Sequence, residues 1–303
     1  MTGDSFSGGS SFLSRAVPHW HFAMMNDKAR NQAFREAIEK AVRPGDLVLD
    51  IGTGAGLTAL IAARAGGRVI TCETNPYTAV LAKRVIDANG YGERITVVPA
   101  SSSTLAVGRE LPRRADVLIA EVFDSGFLGE GALPALEHAR QELVTPDVRL
   151  VPSGGRLLAQ IVESRALYEL NNVGDVDGFD LSPFNLARSR EYFAESVANY
   201  VHTPLTEAFP LFDFAFSRPS LPCAQDIAVP VVATGTAYAV VMWFELDLGG
   251  GIGVTNGPTG VSHWRQAVQT FDNPPTVASG GTLFVRAEHD LRRLAVGLVP
   301  GFE

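Results

Sequence analysis

An apolar strand that runs into a glycine-rich loop is the feature that most restricts how this chain can fold. Residues 48–57 read VLDIGTGAGL, and a helical pattern follows them. Gly52, Gly54 and Gly56 let the backbone approach a ligand closely, and the first turn of the next helix offers free N–H donors. The segment therefore predicts a nucleotide-type binding loop at the carboxyl end of a parallel strand.

Strands and helical stretches alternate around this loop. A helical pattern covers about 27–42 and stops before Pro44 and Gly45. The predicted strands are 47–51, 68–72, 95–98 and 117–120, with helices predicted at 57–65 and 77–88. This alternation predicts an N-terminal segment over 1–45 and a doubly wound, Rossmann-like α/β domain over 46–152.

The second half of the chain has a different pattern. Its predicted strands are 156–162, 211–216, 237–246, 266–271 and 282–287, joined by links rich in glycine and proline. They predict an antiparallel, β-barrel-like domain over 153–303, with the boundary near 152–155. Residues 180–198 are predicted as a polar, helix-compatible insertion in this domain.

Composition narrows the function classes. The 25 basic and 33 acidic residues give a net charge of −8, which disfavours nucleic-acid binding and favours cationic substrates. Two cysteines, Cys72 and Cys223, provide neither a disulfide framework nor a zinc site. His19 and His21 have no third ligand nearby, so no metal is predicted. We expect no leader, no membrane segment and a cytoplasmic location.

Two acidic residues indicate which nucleotide the loop binds. Taken alone, the glycine loop is also compatible with a dinucleotide. Asp50 directly precedes the glycines, where a carboxylate can meet a ligand's ammonium group, and Glu73 ends the next strand, where it can bind both ribose hydroxyls. These positions favour S-adenosylmethionine as the cofactor.

A second acidic constellation follows the strand at 117–120. Glu121 and Glu130 bracket a loop with internal glycines, so both carboxylates can converge on one cation. A guanidinium stays protonated at physiological pH, and methyl transfer requires it to be held flat and polarised toward one nitrogen. Two carboxylates would do this by position and electrostatics. The alternative is that both are ordinary loop charges, with Glu130 capping the next helix.

With these motifs in order, the sequence resembles the protein arginine N-methyltransferase family, nearest its type III, monomethylating branch. The resemblance extends from about Phe12 to Phe302. The matching residues are Asp50, Gly52, Gly54 and Gly56 of the cofactor loop, Glu73 of the ribose site, Glu121 and Glu130 of the double-glutamate loop, and Ser262, His263 and Trp264 at the family's Thr-His-Trp loop. The match to the Thr-His-Trp loop implies that Trp264 binds the substrate.

The resemblance also implies roles for the N-terminal segment and for an arm. Residues 21–30 resemble the helix that closes over the cofactor. By that resemblance Arg30 pairs with the methionine carboxylate, Met24 packs beside the methyl group, and Asp27 and His263 assist proton loss as catalytic residues. Residues 178–182 resemble the start of a helical dimerisation arm, about 175–200, which implies a homodimer.

The chain departs from the family pattern at two points. Ser101, Ser102 and Ser103 stand where the family has a glutamate that reads the adenine, and we assign the cofactor contact to Ser103. Gly126 stands where the type III branch has an extra acidic residue in the glutamate loop, although Asp124 remains.

The sequence thus predicts an S-adenosylmethionine-dependent N-methyltransferase that adds one methyl to an ω nitrogen of arginine. The acceptor is either arginine in a protein or peptide, or free L-arginine in a biosynthetic pathway. An enzyme acting on another small guanidino or amine metabolite, an oxygen or carbon methyltransferase, and a non-catalytic relative that binds cofactor are the alternatives. The paired glutamates argue against a neutral acceptor.

Overall fold

The computed structural model describes residues 7–260 and 262–299. Its first half contains a parallel five-stranded sheet in the order β3-β2-β1-β4-β5. The strands are β1 (Leu47–Ile51), β2 (Arg68–Cys72), β3 (Ile95–Val98), β4 (Ala115–Ala120) and β5 (Val144–Val151). Chain order reverses between β1 and β4, and ligands bind at such a switch point in open α/β sheets. The glycine loop follows β1, and Glu121 follows β4.

Helices cover both faces of this sheet, which explains why every residue of β1 is buried. The α-helices of the described chain are α1 (Ser7–Ala16), α2 (Trp20–Asn26), α3 (Lys28–Ala41), α4 (Leu57–Arg64), α5 (Pro76–Ala88), α6 (Ala132–His138) and α7 (Arg165–Glu169). Local chemistry sets their starts: the Asn75 side chain accepts the N–H groups of Tyr77 and Thr78, and Pro76 occupies the first turn of α5.

Antiparallel strands form the second half. They are β6 (Gly154–Glu163), β7 (Asp175–Val176), β8 (Phe179–Asp180), β9 (Phe193–Glu195), β10 (Thr203–Pro204), β11 (Phe209–Ala215), β12 (Cys223–Pro230), β13 (Gly235–Thr236), β14 (Ala239–Gly249), β15 (Ile252–Thr255), β16 (Gln266–Thr270), β17 (Thr276–Val277), β18 (Thr282–His289) and β19 (Leu294–Leu298). The main sheet runs β10-β6-β14-β16-β9, with β11 and β15 at its sides, and β12-β18-β19 form a second sheet.

The two halves share one hydrophobic core, and α3 packs against both β5 and the β14–β15 hairpin. The parallel sheet ends at Val151 and the antiparallel sheet begins at Gly154. The Rossmann-like domain followed by an antiparallel, barrel-like domain confirms the predicted fold class. No helix among the described residues has the length and apolar character needed to cross a membrane.

The prediction of helix over 180–198 is wrong in its details. This segment contains 3₁₀ turns at Ser182–Ala187 and Val197–Asn199, and the arm begins with the β7–β8 hairpin. Strand β9, inside the predicted insertion, pairs with β16 and belongs to the main sheet. Pro183 and two residues that favour turns, Ser182 and Asn185, explain why no α-helix forms. The Phe302 end of the resemblance lies outside the described residues.

Candidate active site

The glycine loop turns sharply over the end of β1. Gly52 and Gly54 have positive φ angles of 88° and 51°, which L side chains rarely adopt. A Cβ at Gly52 would lie 2.6 Å from a Val122 methyl, and one at Gly54 would lie 3.5 Å from Cε of Met24. Space therefore excludes a side chain at Gly52, whereas at Gly54 the positive φ angle disfavours one.

A cavity of about 570 Å³ opens between this loop and the N-terminal helices. Of the residues predicted for the cofactor, Met24, Arg30, Gly52, Gly54, Glu73 and Ser103 line it, and so do both glutamates of the acidic loop. The fit to S-adenosylmethionine rests on the bare glycine floor, the carboxylate at the end of β2 and the polar turn 101–103. No group of three or more His, Cys, Asp or Glu residues placed for a metal ion occurs in residues 7–260 and 262–299.

Glu73 is held at the wall of this cavity by two backbone donors. Its Oε2 accepts the N–H of Gly54 at 3.1 Å, and its Oε1 accepts the N–H of Asn75 at 2.9 Å. The carboxylate thus links the glycine loop to the start of α5. This placement agrees with the predicted contact to ribose hydroxyls.

Asp50 lies on β1 directly before the glycine loop. Its side chain is buried and does not line the cavity; one oxygen accepts the hydroxyls of Thr71 at 2.7 Å and Thr58 at 3.2 Å. Thr71 is its register partner on β2, so the contact follows from strand pairing. Burial raises the pKa of Asp50 to about 7, against the lowering effect of these hydroxyls. Asp50 supports the loop from below, its Oδ1 has no hydrogen-bond partner among the described residues, and its contact with the ligand's ammonium group stays a prediction.

Arg30 is buried beside the cavity and pairs with Glu121. Its other terminal nitrogen donates to Oδ1 of Asn31 at 2.7 Å, and its guanidinium lies 5.2 Å from the Phe34 ring and 5.8 Å from the Trp264 ring. Its Nε has no hydrogen-bond partner within the described chain. Arg30 is therefore a buried cation with spare donor capacity at the cavity wall, as an anion-binding role requires.

The two glutamates differ in their surroundings. Burial raises the pKa of Glu121, and the charge and hydrogen bond of Arg30 oppose that effect. Glu130 has no hydrogen-bond partner in the described residues, and restricted solvation, followed by repulsion from Glu121, Asp124 and Glu73, raises its pKa to about 7. Its side chain is partly open to solvent even so. An unpaired acid among other acids has high affinity for a cation.

A second cavity, of about 510 Å³, meets the first at Trp20, Met24 and the two glutamates. Its remaining walls include Asp124, Ser125, His263, Trp264 and Arg265. Trp264 is buried, and its indole N–H donates to the carbonyl of Phe123 at 3.0 Å, which joins the 262–264 segment to the acidic loop. The cavity is acidic where it meets the first one, which makes it the candidate acceptor cavity.

Asp27 and His263 meet across the two halves of the chain. Asp27 Oδ2 accepts the backbone N–H of His263 and contacts its ring Nδ1, both at 3.0 Å, while Oδ1 accepts the N–H of Arg30 and caps α3. Burial tends to raise the pKa of Asp27, but the hydrogen bonds from His263 and Arg30 outweigh it and lower the pKa. Burial lowers the pKa of His263 despite its bond to Asp27. The predicted pair is therefore a neutral imidazole on an ionised carboxylate.

Two residues at this site were not singled out from the sequence. Arg265 lines the acceptor cavity, is exposed, and its side chain has no ion-pair partner in the part of the chain described. Its position directly after Trp264 was an available signal. Tyr192 donates to Oδ2 of Asp124 at 2.6 Å, and nothing local in the sequence indicates that contact between residues 68 positions apart.

Together, this cavity and the sheet beneath it define an S-adenosylmethionine-dependent methyltransferase. Residues 33–154 match the family model described as Ribosomal protein L11 methyltransferase (PrmA), which covers the parallel sheet. The chain is 43% identical over 275 residues to an Arginine N(omega)-methyltransferase of Streptomyces achromogenes subsp. streptozoticus, covering 90% of this chain and 76% of the relative. The chain therefore belongs to the protein arginine N-methyltransferase family and is an S-adenosylmethionine-dependent arginine methyltransferase.

Further relatives agree with this assignment. The chain is 32% identical to Protein arginine N-methyltransferase 7 of Oryza sativa subsp. indica, covering 88% of this chain but only 43% of that protein. It superposes with a TM-score of 0.80 and 24% identity on a chain of the Trypanosoma brucei PRMT1 enzyme-prozyme heterotetrameric complex with AdoHcy, covering 93% of each chain. At that identity the superposition supports the fold alone.

Proposed function

We propose that this enzyme transfers one methyl group to an ω nitrogen of free L-arginine. The observation that carries the proposal is the acceptor cavity, which has paired glutamates at its inner end and the unpaired Arg265 on its wall. The guanidinium fits the acidic end, and Arg265 can receive the α-carboxylate. The Streptomyces relative, whose name refers to arginine and not to protein arginine, supports this acceptor.

Residues of the cofactor cavity would hold S-adenosylmethionine in place. Gly52 and Gly54 provide the floor, Glu73 the ribose contact, Ser103 the adenine side and Arg30 the methionine carboxylate. When bound, the cofactor supplies an electrophilic methyl group on a sulfonium. Met24, which packs over Gly54, keeps water from that part of the cavity.

Glu121 and Glu130 would orient the acceptor. Two carboxylates that accept N–H bonds from a guanidinium fix its plane and concentrate electron density on the nitrogen that faces the cofactor cavity. Trp264 provides an apolar wall for the flat group, as it already does for Arg30. Positioning and charge therefore account for the rate enhancement in this proposal.

Proton loss follows methyl transfer because the nitrogen that receives the methyl group loses its conjugation with the rest of the guanidinium and so becomes more acidic. Glu130, with a pKa raised to about 7 mainly by restricted solvation, is a suitable acceptor near neutral pH. The Asp27–His263 pair offers a second route, since a neutral imidazole accepts a proton and an adjacent carboxylate stabilises the cation.

The arm suggests how the subunits assemble, and we include a homodimer in the proposal. Phe179, Phe184 and Leu186 are 70%, 76% and 95% exposed, although all three are apolar. Exposed apolar residues on one projecting segment are typical of an association surface. A second copy of this chain is the partner that the family resemblance implies.

The deciding experiment compares acceptors directly. The purified enzyme is incubated with S-adenosylmethionine and either free L-arginine or an Arg-Gly-rich peptide, and products are read by mass spectrometry. A gain of one methyl on free arginine supports the proposal. A gain only on the peptide, which the resemblance to protein-directed relatives favours, would replace it with protein methylation; a second methyl would remove the monomethylation part.

A further inference from the structure

The acidic loop between Glu121 and Glu130 is closed by Asp124. Its Oδ1 accepts the N–H of Gly129 at 2.9 Å, which ties the two ends of the loop together. Its Oδ2 accepts the hydroxyl of Tyr192 at 2.6 Å. A carboxylate with both oxygens engaged in this way has a fixed orientation, and the backbone just before Glu130 is fixed with it.

The ring of Tyr192 also occupies the space beside the loop. A Cβ at Gly126 would lie within 3.0 Å of three atoms of that ring, and a Cβ at Gly129 would approach both Asp124 and the Tyr192 hydroxyl within the same limit. Gly126 has no positive φ angle, so only this close approach excludes a side chain there. The two glycines are thus explained by the tyrosine.

Tyr192 itself is fixed by the second domain. It directly precedes β9, whose pairing with β16 aligns Phe193 with Val268. Strand β16 follows the segment that contains His263 and Trp264. Tyr192 also lies within the predicted arm, about 175–200, so this residue of the arm contacts the acidic loop and directly precedes a strand of the main antiparallel sheet.

We propose that Tyr192 is a positioning residue that holds Glu130 in place through Asp124 and so couples the arm to the acceptor pocket. This inference rests on the proposed function of the glutamate pair. Tyr192 does not line either cavity described above, so it acts on the acceptor only through the loop. Its loss alters the alignment of the guanidinium and leaves the cofactor contacts unchanged.

The test uses Tyr192→Phe, which keeps the ring and removes the hydroxyl, with Tyr168→Phe as the matched control. Tyr168 packs against Tyr238 in the second domain. We expect kcat to fall about tenfold in Tyr192→Phe, as when a hydrogen bond to a charged group is lost. The dissociation constant of S-adenosylhomocysteine and the Tm should stay at wild-type values, and Tyr168→Phe should have wild-type kcat.

Two double variants separate positioning from simple destabilisation. Asp124→Asn should reduce kcat as Tyr192→Phe does, and the combination should be no worse than either alone, because both break one contact. Gly126→Ala should strongly reduce kcat in the wild-type background. In a Tyr192→Ala background, where the ring is absent, it should cause no further loss of kcat.

The outcomes distinguish this inference from the proposed function. Wild-type kcat and KM in Tyr192→Phe, or additive losses in the double variants, would overturn the positioning role while leaving arginine methylation intact. If Tyr192→Phe loses cofactor affinity and Tm along with kcat, the residue has a structural role only. A wild-type enzyme that neither methylates nor binds a guanidine in the presence of S-adenosylhomocysteine would remove both proposals together.

Discussion

Arg30 forms an ion pair with Glu121 at the place where the cofactor cavity meets the acceptor cavity. Both side chains are buried, with 5% and 10% exposure. One member was predicted to bind the cofactor and the other the acceptor, so the pair lies between two functions. An incoming guanidinium has to share Glu121 with Arg30, and it finds Glu130 unpaired.

Glu121 and Glu130 together form the proposed guanidinium clamp, and removing the charge of either one should abolish most activity. Glu121→Gln and Glu130→Gln are each expected to lower kcat by about 10²-fold or more, because a positioned charge is lost where the guanidinium is polarised. Steady-state methylation of the acceptor measures this. The control is Glu36→Gln, which removes an exposed glutamate paired with Lys40. Near-normal turnover in both clamp variants would contradict the assignment.

Activity should rise with pH through neutrality. In the free enzyme Glu130 is neutral below its pKa of about 7 and charged above it, and only the charged form holds a cation. At saturating cofactor, kcat/KM for the acceptor is expected to increase between about pH 6 and pH 8 with a midpoint near the Glu130 pKa. Burial lowers the pKa of His263, so its titration is expected below that of Glu130. Glu130→Gln should abolish the dependence, and an unchanged profile would refute it.

Cofactor affinity should depend on Glu73 far more than on Asp50. Glu73→Gln removes a charge that faces the cavity, so we expect binding of S-adenosylhomocysteine to weaken about tenfold. Asp50→Asn keeps an oxygen for Thr71 and Thr58, so its dissociation constant should change little while Tm reports the altered packing. Isothermal titration calorimetry compares them. Equal losses would indicate that Asp50 does contact the ligand.

Arg265 should determine affinity for the free amino acid. Arg265→Ala is expected to raise KM for L-arginine about tenfold or more with a smaller change in kcat, since the contact to the α-carboxylate is remote from the reacting nitrogen. Arg286→Ala, on an exposed face of β18, serves as the control. An unchanged KM for L-arginine in Arg265→Ala would contradict the proposed contact with the α-carboxylate.

The arm should control association. Phe184→Asp and Leu186→Asp introduce charge on residues that are exposed in the single chain, so they are expected to yield monomers without a large loss of Tm. Size-exclusion chromatography with light scattering measures this. Leu221→Asp, a similarly exposed apolar residue of the second domain, should keep the wild-type state. A wild-type monomer would contradict the homodimer proposal.

The sequence was most informative where local pattern and burial coincide. Strands β1, β2 and β3 have the predicted bounds, and for the buried strands β1 and β2 the reason is that parallel strands covered on both faces read as continuous apolar runs. Strand β12 was not predicted, since most of its residues are exposed and alternation is weak. Strand β19 was also missed; it is short and contains Gly297. Such edge strands depend on their partners more than on their own sequence.

The same distinction between local sequence pattern and long-range packing applies to the site. Motif spacing placed Glu73, Glu121 and Glu130 around two adjoining cavities, and the family resemblance, not spacing, indicated the contact between Asp27 and His263. Spacing did not indicate that Asp50 is buried and bonded to Thr71 and Thr58, because those contacts come from neighbouring elements and not from the position before the glycine loop. Contacts such as Tyr192 with Asp124 depend on the packing of distant segments and have no local sequence signal.

Phe127, in the middle of the acidic loop, has a positive φ angle of 75° and is fully buried. The strained backbone costs about 1–3 kcal/mol, which burial of the ring offsets by a similar amount. That ring packs 4.9 Å from Phe214 and 6.0 Å from Phe244, both residues of the antiparallel domain. The loop that carries Glu121 and Glu130 in the parallel-sheet domain is thus held in shape by packing against the antiparallel domain. Transplanting residues 20–152, which include Met24 and Arg30, onto another scaffold would carry over the methyl-donor site and forfeit the ability to choose an acceptor.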